Sequence, residues 1–367
     1  MRLAAIELIT FRSWKALSMR FDGRVTALVG PNGCGKTSVL EGAWYAASLG
    51  SHRTSADAAL IMQDETAAVV RAEVERNART ERIELEIVTK GRARAKLGGA
   101  PVGRRRDVLG VLKASIFAPE RVALVREDPG DRRRFADEIL IQLHPRYHGV
   151  IRDYERALRQ RNTLLRDHAA GRASIDGIEA WDEALIAPGT ELAAGRAKAV
   201  SRLAPRAREA YQAVGGGSSF SVSYVPNIPE PPTPDDPGAW ADSMRARLAE
   251  RRKDEIIRGV TLVGPHRDDL LIEIAGMPAR THASHGEGWL AALALVLGAH
   301  EAVADSIGEQ PVLLLDDPFT LLDPERRERM ADALPRDAQM LLTAADPREI
   351  PPGLDARAVD VEGLRGA

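Results

Sequence analysis

Apolar and polar positions alternate along the start of the chain. "RLAAIEL", "LSMRF" and "VTALV" therefore read as strands, the last running straight into the glycine-rich "GPNGCGKTS" at 30–38. Behind that loop "KTSVLEGAWYAASL" has helical spacing. The segments "AAVVRAEVER" and "ERIELEIVT" alternate with period two and predict a strand pair on one side of the same lobe. From about Pro129 to Ala213 the pattern turns to long helical runs: "DRRRFADEILIQL", "YHGVIRDYERALRQRNTLLRDH" and "GIEAWDEALIAPGTELAAGRAKAVSRLAPRAREAYQAV". The Pro/Gly/Ser-rich "GGGSSF" and "PNIPEPPTPDDPG" read as loop around a short strand, "FSVSYV", ahead of another helix, "AWADSMRARLAERRKDEIIRG". The α/β character then returns with "LLIEIAG", the helical "GEGWLAALALVLGAHEAVADS", the buried strand "PVLLLDD", a helix from Pro324, and "AQMLLTAA" as the last strand. This order predicts an α/β nucleotide-binding lobe split in sequence, at 1–128 and 259–367, with a mainly helical lobe inserted at 129–258.

Composition adds limits. Hydrophobic residues make up 44% of the 367, ample for a core. The single cysteine, Cys34, excludes an internal disulfide framework and a cysteine-built zinc site, and its expected role is that of a small loop residue. The opening lacks the unbroken apolar core of a signal peptide, and no apolar run approaches the roughly 18–20 residues of a membrane span. A cytoplasmic location is the expectation. Net charge is −2, so affinity for nucleic acid has to come from local clusters of charge. Arg132, Arg133 and Arg134 form one such cluster, and Arg104, Arg105 and Arg106 a second. Three consecutive arginines cannot share one helix face, so at least one points to solvent or to a partner.

Three stretches carry chemistry. Gly30 to Thr37 has the spacing G-x-x-x-x-G-K-[ST]: glycines let successive N–H groups turn inward around phosphate oxygens, and the following helix adds its positive end. Lys36 would reach the β- and γ-phosphates of ATP, and the Thr37 hydroxyl would ligate Mg²⁺. In "PVLLLDDPFTLLDPE" an apolar strand ends in two carboxylates, which places Asp316 to hold the metal through water and Asp317 to orient or deprotonate an attacking water. "ASHGEGW" at 283–289 heads a helix, with Ser284 as N-cap and Glu287 completing a capping box. "GPHRDDL", despite its His and Asp, reads as a buried turn that braces the nucleotide lobe.

The Ser-x-Gly core of "ASHGEGW" is similar to the signature loop of ABC ATPases, and Asp323 falls where those enzymes carry their D-loop. The order of phosphate loop, helical insertion, signature-like loop and "LLLDD" is also theirs. No segment sustains a heptad pattern, so the insertion predicts a short arm. Together "ITFRSW", "GPNGCGKTSVLEG", "GSHR", "FAPERVALVREDPGDRRRFAD", "YERALRQRNTLL", "GPHRDDL" and "LLLDDPFTLLD" resemble the bacterial RecF family of recombination and repair ATPases, along nearly the whole chain. The resemblance implies an ATP-dependent homodimer that hydrolyses ATP slowly, binds gapped DNA or single-strand/duplex junctions, works with RecO and RecR to load RecA, and serves replication and the SOS response. It implies a nucleotide site from Gly30, Pro31, Asn32, Gly33, Cys34, Gly35, Lys36, Thr37, Ser38 and Arg12, closed in trans by Ser284, Gly286 and Asp323. Thr37 and Asp316 would hold Mg²⁺, and Lys36, Asp317 and Ser284 would be the catalytic set. His285 and Glu287 replace the Gln-rich versions of many relatives, and "MLLTAAD" lacks the usual γ-phosphate-sensing histidine, with Thr343 standing nearby. The ATP-binding subunit of a transporter and an ABC-linked nuclease are the alternatives; the arginine-bearing insertion disfavours the first, and the second needs residues after the last strand for a cleaving domain.

Overall fold

In the computed structural model, which describes residues 1–320 and 322–366, β1 (Arg2–Phe11) and β2 (Trp14–Arg20) pair antiparallel around a tight turn at Arg12, whose φ is 54°. β3 (Val25–Val29), buried along its whole length, enters the phosphate loop and α1 (Lys36–Ser48) leaves it. The period-two hairpin follows as β4 (Ala67–Arg76) and β5 (Arg79–Val88), extended by β6 (Ala95–Leu97) and β7 (Ala100–Pro101). These strands make one antiparallel sheet, ordered β2-β1-β4-β5-β6-β7. β8 (Ala114–Phe117) belongs to a second, parallel sheet. Then come α2 (Ala123–Arg126), α3 (Pro129–Leu143), α4 (Tyr147–Ala169), α5 (Ile178–Ala213), β9 (Phe220–Val225) and α6 (Pro237–Arg258). β10 (Asp269–Ile274), β11 (Met277–Pro278), α7 (Ala279–His282), α8 (His285–Ile307), β12 (Val312–Leu315), α9 (Pro324–Ala333), β13 (Met340–Ala344) and β14 (Arg357–Asp360) complete the chain. The parallel sheet runs β14-β3-β13-β12-β8, and β9, β10 and β11 form a small third sheet.

α1 lies between the first two sheets, touching β1 and β4 on one side and β8, β12 and β13 on the other. That explains why it is apolar nearly all round: burial takes Val39, Leu40, Ala43, Trp44, Tyr45, Ala46 and Ala47 together. Gly42 permits the approach, since a Cβ there would stand 2.6 Å from Leu8 Cδ2. α8 is packed just as fully, against α5 and β8. At Gly298 it meets the backbone of α5, where a Cβ would lie 2.5 Å from Ala207 N.

Four expectations change. "AQMLLTAA" is β13, but β14 follows it and pairs parallel with β3. α8 is long and apolar enough to cross a membrane by length and composition, contrary to the reading that no run reaches that size; most of it is buried inside the fold. β9, inside the stretch 129–258, pairs with β10 beyond its end, so a small sheet spans that boundary. "GPHRDDL" is a buried turn, but it clasps helices of the inserted stretch 129–258. His266 Nδ1 accepts from Tyr154 Oη on α4 at 2.6 Å, Arg196 of α5 donates to Pro265 O at 2.7 Å, and Arg132 of α3 donates to Asp269 at 2.6 and 3.0 Å. Among the described residues no group of His, Cys, Asp and Glu could hold a metal by itself. Leu321 of the "LLD" stretch lies outside the described residues.

The arm is built from α4, α6 and the first half of α5, and its centre is ionic. Arg161 is fully buried and donates to Asp182 Oδ1 at 2.8 Å, Thr261 Oγ1 at 2.8 Å and Glu255 Oε2 at 2.6 Å. Glu255 is equally buried and accepts from Leu262 N at 2.7 Å. Removing the guanidinium would strand the Glu255 carboxylate, since Asp182 keeps its bond from Arg252, and a broken buried pair costs about 3–5 kcal/mol. Arg161→Met should therefore lower the unfolding free energy by about that amount in denaturant titrations followed by far-UV circular dichroism.

Candidate functional site

The phosphate loop is held from beneath. Gly35 has φ 102°, and Trp14 Nε1 donates to its carbonyl at 3.1 Å; a Cβ on Gly35 would stand 2.7 Å from that indole nitrogen. Pro31, Asn32 and Gly33 form the exposed rim, while Cys34 and Ser38 are buried below it. The Cys34 sulfur fills the space at Gly30, 3.0 Å from where a Cβ would be, so it packs the loop floor as a small side chain. Lys36 Nζ spans the loop mouth, donating to Gly30 O at 2.6 Å and Pro31 O at 3.1 Å. An incoming phosphate would supply a stronger, charged acceptor in the same place.

The sheet order β3-β13-β12 places one strand between the phosphate loop and the paired carboxylates, and that strand carries Thr343 as its last residue but one. Thr343 Oγ1 lies 2.7 Å from Asp316 Oδ1 and 2.9 Å from Asp317 Oδ1, and accepts from Asp317 N at 2.8 Å. Thr37 Oγ1 donates to Asp316 Oδ1 at 3.0 Å. Burial raises the Asp316 carboxyl to about 6, Asp317 adding to the rise while the Thr343 and Thr37 hydroxyls oppose it. A hydroxyl and a carboxylate this close fit a small hard cation with oxygen ligands, and Mg²⁺ bound there would neutralise Asp316. Asp317 is half-buried with φ 45°, a backbone state that costs a non-glycine residue about 1–3 kcal/mol.

The remaining expected residues fall in three places. Arg12 grips the fully buried Glu41 through Nε at 2.8 Å and Nη2 at 2.7 Å, and donates to Ala59 O at 2.8 Å, so only part of its donor fork remains for a ligand. Ser284 caps α8: its Oγ accepts from Glu287 N at 3.2 Å, and Glu287 Oε2 accepts from Ser284 N at 2.8 Å. Those bonds hold the Glu287 carboxyl below its ordinary value. Ser284, His285 and Gly286 are exposed. Arg126, which the sequence did not single out, steadies this loop by donating to Ala283 O at 2.9 Å; nothing in "VALVRED" marks it. Asp323 caps α9, accepting from Arg326 N at 2.9 Å.

The arginine triplets separate. Arg132 is corrected: it is buried and bonded to Asp269, which leaves it no access to DNA. Arg133 is half-committed to Asp268 O at 2.9 Å, whereas Arg134 is exposed with a loose 3.9 Å contact to Asp131. Arg104 is exposed, Arg105 donates to Asp57 at 3.1 Å, and Arg106 packs against α4 at Gly149.

A phosphate loop, a carboxylate-ended strand two places away in a parallel sheet, and a helix headed by an exposed serine cap on the same α/β head define an ABC-type ATPase head. The family model described as "RecF/RecN/SMC N terminal domain" matches residues 2–351. The DNA replication and repair protein RecF of Frankia alni is 45% identical, over 96% of this chain and 95% of that protein; RecF of Kineococcus radiotolerans is 43% identical, over 98% and 97%. A solved structure of the recombination mediator protein RecF with ATP, from the RecFOR pathway, superposes with TM-score 0.87 at 26% identity, covering 95% of this chain and 93% of that one. The chain belongs to the RecF family.

Thr343 ties both carboxylates together, so its loss should act on hydrolysis more than on binding. Thr343→Val should retain ATP in fluorescent-nucleotide titrations while single-turnover hydrolysis falls roughly 5- to 30-fold, the size of a lost buried hydrogen bond. Thr343→Ser should restore the rate; a purely packing role would leave serine as impaired as valine.

Proposed function

We propose that this protein is an ATP-driven DNA clamp of recombinational repair and replication restart. Two copies would close on gapped DNA or a single-strand/duplex junction when ATP is bound, and slow hydrolysis would release them. The observation that supports this reading best is that Ser284 stands exposed at the head of α8 and shares no hydrogen bond with the phosphate-loop group, as two complementary halves of a nucleotide site would. Lys36, Thr37 and Asp316 form one half, and the exposed Ser284 and Gly286 at the head of α8 form the other, whose side-chain bond runs to Glu287. An N-terminal helix end with a hydroxyl cap suits the γ-phosphate held by a second copy. Asp323 at its own helix cap would accompany it.

Asp317 is the residue proposed to orient the attacking water. Aspartate is shorter than the glutamate of most ABC ATPases, and here Thr343 also tethers it at 2.9 Å, so in-line alignment suffers and turnover is slow. Bound Mg²⁺ would supply the charge that offsets the phosphates; the residues' share is to orient the metal through Thr37 and Asp316 and the water through Asp317. Arg134 and Arg104, with Arg133, Arg105 and Arg106 behind them, remain the proposed DNA contacts. Association with RecO and RecR, assistance to RecA loading and the SOS response, and a cytoplasmic location belong to the same proposal. The transporter-subunit and nuclease readings find no specific support in the site.

Light scattering with and without ATP tests the clamp directly. Lys36→Met should abolish both ATP-dependent dimerisation and DNA binding, and dimerisation that survives would refute the site. Ser284→Arg should keep ATP in the monomer yet block the dimer; loss of nucleotide affinity instead would make Ser284 a plain helix cap. Asp317→Asn should preserve binding, slow hydrolysis and prolong the dimer's lifetime on gapped DNA.

A further inference from the structure

The turn before β8 and the root of α4 bring together more positive charge than the chain neutralises. Arg105 lies over the Tyr45 ring, 5.1 Å from its centroid, and its Nη1 donates to Asp57 Oδ2 at 3.1 Å. Its Nε and Nη2 are buried without a hydrogen-bond partner. Arg106 packs on α4 where Gly149 leaves room for its guanidinium, with Cζ 3.2 Å from the position a Cβ would take. His148 and Arg152 stand one turn apart on α4, and His148 Nδ1 is also buried without a partner. Burial holds His148 near 4, and the positive charge of Arg152, Arg106 and Arg105 nearby acts in the same direction.

Carboxylates do not balance this group. Asp57 is shared with Tyr45 Oη at 2.9 Å; Asp153, beside Arg152, pairs with Arg156, and Asp107 accepts from Arg104 N at 2.9 Å to close its own turn. α4 has no acidic residue in its first turn. A water could satisfy the buried donors but would leave three guanidiniums against one carboxylate. Converging, partly unpaired arginines of this kind fit an oxyanion, whose charge and several acceptor lone pairs answer both shortfalls.

We propose that the junction between the Arg104–Val108 turn and the start of α4 binds a phosphate group, with Arg105, Arg106 and Arg152 as its cationic wall and His148 Nδ1 as a further hydrogen-bond partner. A nucleic-acid backbone as the source rests on the clamp reading above; a free phosphate offers the same chemistry. Through Asp57 and Tyr45 the site is bonded to α1, the helix that leaves the phosphate loop, so a bound backbone would touch the ATPase head at its core.

Arg152 is exposed and holds no bond the fold depends on, which makes it the position to change. Anisotropy of a labelled gapped duplex, followed across a salt series with ATP, should show the slope of log affinity against log salt reduced by about one in Arg152→Gln, and affinity at fixed salt reduced about tenfold in Arg152→Glu. Arg156→Gln on the same helix should leave the slope unchanged. In a second arm, inorganic phosphate is compared with chloride at matched ionic strength by thermal unfolding. A phosphate-specific rise in Tm that Arg152→Gln abolishes, with an unchanged DNA slope, upholds the site and assigns it a free phosphate. An unchanged slope together with no phosphate-specific shift overturns the proposal. Should the wild-type chain bind no DNA at all, the clamp reading falls, and the phosphate arm decides the site by itself.

Discussion

The head depends on burying α1 on every side. A helix sandwiched between an antiparallel and a parallel sheet cannot shift without opening the core it shares with both, so the loop at its N-terminus inherits its position from packing. Gly42 sets how close the helix comes to β1, and the Trp14 indole fixes Gly35 from below. Phosphate recognition is thereby organised before any ligand arrives, and little ordering cost remains for binding to meet. The same core carries β12 and β13, so Asp316 and Thr343 are registered against Thr37 by the sheet.

What the sequence made legible follows from how local each signal is. The ten-residue strands β4 and β5 alternate cleanly, and the phosphate loop is a contiguous spacing, so both could be read directly. β8 escaped because four fully buried residues show no alternation, and β14 because "RAVD" is a largely exposed edge strand with no apolar face. Thr343 could be named only as a neighbour: its contacts reach Asp316 and Asp317 through a strand order that no local pattern encodes. Arg132 was misjudged for a related reason, since its partner Asp269 lies 137 positions away.

Arginine serves two opposed ends in this chain. Arg121, Arg132, Arg161 and Arg196 are buried, and the last three each knit several elements with one planar fork. Arg196, for example, takes Asp137 of α3 at 2.7 and 2.8 Å and the carbonyl of Pro265 at 2.7 Å. Lysine, with a single rotatable point charge, could not hold such geometry. An arginine-rich sequence with net charge −2 is thus partly a record of internal bracing, and counting triplets overstates the basic surface.

α5 belongs to both parts of the molecule: its first half is a member of the arm and its second half crosses α8 at Gly298. No loop interrupts it, although Pro188 and Pro205 lie within it. From the crossing at Ala207 to its start at Ile178 the helix extends about 44 Å at 1.5 Å per residue. It has the proportions of a lever, with a short end in the head and a long end in the arm. A rotation of about 5° at the fulcrum would carry the far end some 4 Å along an arc of that radius. Small adjustments around the nucleotide, too slight to disturb the core, would reach the tip of the arm as displacements the size of a side chain.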